Sequence, residues 1–151
     1  MKLSIYLCTL FTCLAFSYTR CGLDPDTDPL YISFDSRLTS GCIREIPYSQ
    51  ITNEALLTWS YEDNTLGLYI NIDTHCLASL KDSTRIYNDN LSIFLEDTVS
   101  QTSACGCIYR EVYYFKVSGY EEVKLTCFFK PYAQNEYKTV IDQRLMLPDR
   151  P

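Results

Sequence analysis

The chain has 151 residues, room for one domain with at most a short appendage. Apolar residues make up 46% and charged residues 21%, enough for a packed core and too apolar for wholesale disorder. The formal net charge of -6 argues against a nucleic-acid partner, because phosphate binders carry a surplus of Lys and Arg, and against docking on anionic lipid.

The first residues read as an address. Lys2 precedes the uncharged run Leu3 to Phe16, and Ala15 and Ser17 supply the small residues of a signal-peptidase site. The run falls short of the roughly 18 apolar residues that a membrane span needs, so it predicts a signal peptide cut after Ser17, with Thr19 as the alternative. The expected organisation is a signal peptide, residues 1–17, and a single domain, residues 18–151. No later segment is apolar enough to span a bilayer and no retention signal ends the chain, so a secreted, soluble product routed through the endoplasmic reticulum is expected.

Gly22 to Pro29, with three aspartates and two prolines, reads as an extended solvated arm. Leu30 to Phe34 is a weak strand candidate. Leu56 to Tyr61 is rich in strand formers. Leu66, Leu68, Ile70 and Ile72 then alternate with Gly67, Tyr69, Asn71 and Asp73, and the polar turn Glu62–Thr65 between the two runs predicts a hairpin. His75 reads as a loop residue just beyond that strand. Ser79 to Gln101 is polar and reads as a long excursion, with Leu91–Leu95 as a weak strand inside it. Asn90-Leu91-Ser92 is the one N-x-S/T sequon, which makes Asn90 a candidate glycosylation acceptor on an exposed loop.

The clearest strands come last. Tyr109, Glu111, Tyr113, Phe115 and Val117 share one face, with Arg110, Val112, Tyr114 and Lys116 on the other. Ser118–Glu121 turns the chain. Val123, Leu125, Cys127 and Phe129 alternate with polar and aromatic residues until Pro131, and Tyr137 to Leu147 alternates again and should pair with its neighbour. No helical stripe appears. Seven short strands joined by polar turns predict an all-β antiparallel sandwich.

Of the 8 cysteines, Cys8 and Cys13 leave with the signal, so six remain: Cys21, Cys42, Cys76, Cys105, Cys107 and Cys127. An even number in an exported chain predicts three disulfides, though sequence alone leaves their connectivity open. Zinc is disfavoured, because Cys105-Gly106-Cys107 is the only close pair and His75 the only imidazole. A Cys–His nucleophile is disfavoured too, since His75 and Cys76 are strand neighbours and point to opposite faces. Cys42, Trp59 and Cys127 follow the order of the cysteine–tryptophan–cysteine signature of an immunoglobulin sandwich, although Leu125 stands where that fold has a tyrosine.

A family resemblance rests on these same segments. Val123-Lys124-Leu125-Thr126-Cys127-Phe128-Phe129 followed by Lys138-Thr139-Val140-Ile141-Asp142, and Tyr69-Ile70-Asn71-Ile72 ahead of Cys76, resemble the immunoglobulin-like accessory protein eight of SARS-type coronaviruses. The likeness is loose over the mature chain and closer over about forty C-terminal residues. It implies a disulfide-stabilised immunoglobulin-like antiparallel β-sandwich with the pairings Cys21–Cys107, Cys42–Cys127 and Cys76–Cys105. It also implies a secreted, non-enzymatic viral glycoprotein that binds host secreted or secretory-pathway proteins and modulates immune responses. The mature chain lacks the extra cysteine of a covalent dimer, which leaves room for a non-covalent homo-oligomer.

Catalysis finds little in the inventory. One His, no GxSxG elbow and 5 scattered Gly disfavour nucleophilic and phosphate-cradling sites, and no cofactor is expected. A carboxylate-based secreted hydrolase and a cystine-knot ligand of metazoan type are the alternatives, although the latter lacks a C-x-G-x-C motif. The 13 Tyr favour binding through aromatics, with Tyr109, Tyr113, Tyr114 and Phe115 as the candidate face.

Overall fold

A computed structural model describes residues 30–99 and 103–148. The signal peptide, Cys21 and the Gly22–Pro29 arm lie outside the described residues. Eight strands occur: β1 (Tyr31–Pro47), β2 (Ala55–Glu62), β3 (Thr65–His75), β4 (Leu80–Tyr87), β5 (Asn90–Asp97), β6 (Cys105–Ser118), β7 (Glu122–Lys130) and β8 (Lys138–Met146). They form two four-stranded sheets, the first in the order β1-β6-β3-β2 and the second in the order β4-β5-β7-β8. Among the described residues no helix is long and apolar enough to cross a membrane.

Alternation builds the core. Leu66, Leu68, Ile70 and Ile72 of β3 face Leu91, Ile93 and Leu95 of β5 and Val123, Leu125, Cys127 and Phe129 of β7 in one cluster, all at 0% exposure. Each such aliphatic contributes about 1.5–3 kcal/mol by leaving water. The β2–β3 hairpin turns on Asp63 and Asn64, both at positive φ, which short polar side chains tolerate and which matches the strand twist. The molecule is a disulfide-stabilised β-sandwich.

Several expectations are corrected. The described part of the Ser79–Gln101 region is no excursion: Leu80 to Asp97 folds as the β4–β5 hairpin around Asn88 and Asp89. Asn90, Ser92 and Glu96 on its outward face hid a strand whose inner face buries Leu91, Ile93 and Leu95. The second sheet is not purely antiparallel, because β5 and β7 run parallel. The chain leaves β5, passes through β6 in the first sheet and returns beside β5 in the same direction.

The bridges differ as well. Cys42 is joined to Cys107, with Cα atoms 5.7 Å apart, and not to Cys127. β1 pairs along β6, with Cys42 opposite Tyr109, so Cys42 reaches Cys107 within one sheet. Cys127 lies between Ile93 and Ile141 in the second sheet and is buried, with no bridge among the described residues. Cys107 is therefore not available to Cys21. Cys76 is joined to Cys105, as the resemblance implied, with Cα atoms 5.5 Å apart. Trp59 covers no bridge. It stands on the edge strand β2 and is 38% exposed.

Candidate binding face

β6 carries the predicted aromatics, and the pleat separates them. Tyr109, Tyr113 and Phe115 point into the core, at 5%, 0% and 0% exposure, so they form no binding face. Tyr109 donates its hydroxyl hydrogen bond to the Cys76 carbonyl at 2.7 Å, which ties β6 to the turn after β3. Tyr113 stacks on Phe115, and Phe34 meets Phe115 edge-on at 5.7 Å. Burial pushes the Tyr113 hydroxyl far above its ordinary pKa.

Tyr114 alone of the four faces outward. Register places it beside Ser36 of β1 and Gly67 of β3 on the outer surface of the first sheet. Its ring meets Tyr69 edge-to-face at 6.5 Å. A hydrogen bond with Tyr69 raises the pKa of the Tyr114 hydroxyl. Gly67 makes the seat: a Cβ there would lie 2.9 Å from Ser60 Oγ and 3.3 Å from the Tyr114 ring.

The same outer surface continues toward the other end of the strands. Ile43, Arg44, Leu56, Asn71, Ile108 and Arg110 line a depression of about 560 Å³. Its border is held by Asp73, which accepts hydrogen bonds from the Thr52 N–H and hydroxyl at 2.8 Å and from the Glu54 N–H at 2.9 Å. Arg110 Nε donates to Asn71 Oδ1 at 2.9 Å. Leu38, Leu56 and Ile43 are exposed along this face. Among the described residues neither Arg44 nor Arg110 has a carboxylate partner. Tyrosines, exposed aliphatics and unpaired guanidinium groups on one broad surface suit protein contact.

Two polar clusters escaped the sequence. Arg37 of β1 donates from Nε and Nη2 to Glu111 Oε2 at 3.0 and 2.8 Å, and from Nη1 to Asp82 of β4, so it links the two sheets. Thr39 donates to the same Glu111 oxygen at 2.9 Å. His75 is the last residue of β3 and not a loop residue. Its Nε2 lies 2.7 Å from Asp97 Oδ2, both residues 5% exposed. The ring is not aimed for a hydrogen bond. Asp97 Oδ1 accepts from the Ser79 and Val99 N–H groups, and the Tyr132 ring lies edge-on to the imidazole. Among the described residues no group of three or more His, Cys, Asp or Glu is placed to hold a metal ion.

The second sheet has its own outward aromatics, which the sequence did not single out. Phe94 stacks on Phe128 at 4.8 Å, and Arg85 covers the Phe94 ring at 4.9 Å. These rings already have partners. Asn90 is not on a loop: it opens β5, is half-buried, and donates from Nδ2 to Asp89 Oδ1 at 2.8 Å. No protein-family model matches the chain, and no curated protein and no solved structure matches it.

Proposed function

We propose that this chain is an exported, non-enzymatic binding protein whose contact surface is the outer face of the first sheet. The observation that carries this reading is the Tyr69–Tyr114 pair seated on Gly67, continuous with the depression between Arg44 and Arg110. Large rings with two rotatable torsions give contact area at low entropy cost, and guanidinium groups fork onto carboxylates. The two disulfides suit an oxidising compartment. The resemblance noted above supplies the biological setting: a viral accessory factor that binds host secreted or secretory-pathway proteins and modulates immune responses. The hydrolase reading is less well supported, since Glu111 is fully buried and both it and Asp82 are held on Arg37.

The experiment captures host proteins on the immobilised, secreted chain and repeats the capture with Tyr69→Ser/Tyr114→Ser. The expected result is loss of the captured set with the unfolding midpoint little changed, because neither ring is core. Capture of the same set by the folded variant would overturn the assignment of this face.

A further inference from the structure

A sandwich has four edge strands whose outer N–H and C=O groups lack a strand partner, and proteins blunt such edges with charges, prolines or bulges. Three of the four edges here are blunted. β1 departs from regular register with β6 at three places and carries Asp35, Arg37, Arg44 and Glu45. β4 carries Lys81, Asp82 and Arg85. β8 is irregular against β7 and carries Lys138, Asp142 and Arg144.

β2 has neither a proline nor a bulge, and its one charge is its last residue, Glu62. Its register with β3 is unbroken from Ala55 to Glu62, and Ala55 to Tyr61 contains no charge, proline or glycine. In an antiparallel pair alternate residues bond to the partner, so every second residue of β2 turns its N–H and C=O away from β3. Among the described residues no strand bonds to that side. Next to this edge, Trp59 and Tyr61 face Glu121, Met146 and Pro148 across a groove of about 750 Å³. Trp59 is 38% and Met146 63% exposed. Glu121 is exposed where it lines the groove, Glu62 is exposed at the end of β2, and no Lys or Arg lines the groove.

We propose that the β2 edge receives an extended segment of a partner protein as an added strand, with an apolar side chain in the groove and a Lys or Arg beside Glu62 and Glu121. The open backbone suits an extended polypeptide, whose main-chain groups match its strand spacing. The charge selects which one. A second copy of this chain would bring its own Glu62 and a net charge of -6 to an acidic edge, where like charges oppose pairing. The proposal stands apart from the outer-face reading.

The test follows backbone amide exchange of the folded, secreted chain with short synthetic peptides as probes. One peptide alternates lysine with leucine, a second has glutamate for lysine, and two further versions of the first are N-methylated at one or the other set of alternate residues. The lysine peptide is expected to slow exchange at alternate amides of residues 55–62, and the glutamate peptide to bind at least about tenfold more weakly. One of the two N-methylated versions should lose binding, because it lacks the donors that face β2. Amides bonded to β3 are protected throughout and report intact folding. Three outcomes overturn the proposal: no added protection in β2, equal binding by all four peptides, or concentration-dependent protection without peptide, which would make the occupant a second copy. Loss of host capture in the Tyr69→Ser/Tyr114→Ser variant leaves this result unaffected, so the two readings fail independently.

Discussion

Glu111 gathers Arg37 and Thr39 on a single oxygen in a place that water does not reach. Desolvation raises its pKa above the usual carboxylate range, and the Arg37 guanidinium offsets only part of that rise. The native state therefore holds this proton more tightly than the unfolded chain does. Its stabilising contribution is complete below the ordinary carboxylate range and is lost as pH rises through the raised value. Glu111→Gln is expected to flatten the fall in stability over the pH window just above that range. Denaturant unfolding across a pH series measures this, and an unchanged slope would count against it. The inward direction of Glu111 was legible, because alternation puts it on the face of Tyr109, Tyr113 and Phe115. Its partner was not, since Arg37 lies 74 residues away and no local pattern joins the two. The same four-residue neighbourhood shows why tyrosine number misleads. Composition argues for exposed rings, but on β6 the pleat decides which ring turns outward, and of the four it turns only Tyr114, which is half-buried.

At the scale of elements, the bridge Cys42–Cys107 pins the long edge strand β1 to β6 across 65 residues of sequence. Closing a loop of that size stabilises by about 4 kcal/mol in the chain-entropy account. Cys107→Ser is expected to lower the unfolding free energy by about that amount, measured by chemical denaturation without reductant. Cys127→Ser should cost less, because its thiol, with a pKa pushed up to about 12 by burial, is bridged to no cysteine among the described residues. Equal damage from the two substitutions would show that Cys127 takes part in a bridge after all. The hairpin β2–β3 and the pairing of β7 with β8 were readable from period-two alternation and polar turns, both of which are local. β1 was legible only at its start. Its charges and register irregularities break the alternation, and its pairing of Tyr31 with Ser118 is a contact between distant parts of the chain. That missing pairing is also why the resemblance and the cysteine–tryptophan–cysteine order implied a partner for Cys42 other than Cys107.

The whole molecule presents two broad outer surfaces of different character. That of the first sheet carries the tyrosine pair and the depression, whereas that of the second carries Asn90 and Ser92 beside aromatics that already cover one another. Export from a eukaryotic cell is expected to place a glycan on Asn90. Glycosidase treatment should then lower the mass of the secreted chain, and Asn90→Gln should remove that difference while leaving host capture intact, because the proposed contact surface lies on the opposite sheet. Loss of capture in Asn90→Gln would move the contact surface to the second sheet. The sandwich class was legible from strand number and turn composition, but the passage between sheets was not, since nothing in a strand's own residues says which neighbour it joins. That passage has a consequence for the gene. β6 lies between β1 and β3, and β7 between β5 and β8, so both late strands are central members of sheets begun by earlier ones. A premature stop after β5 would leave β1 without a partner and the β4–β5 hairpin exposed along its inner side. No shorter product lacking β6 and β7 could then keep either sheet whole, and a nonsense change upstream of β7 is expected to act as a complete loss.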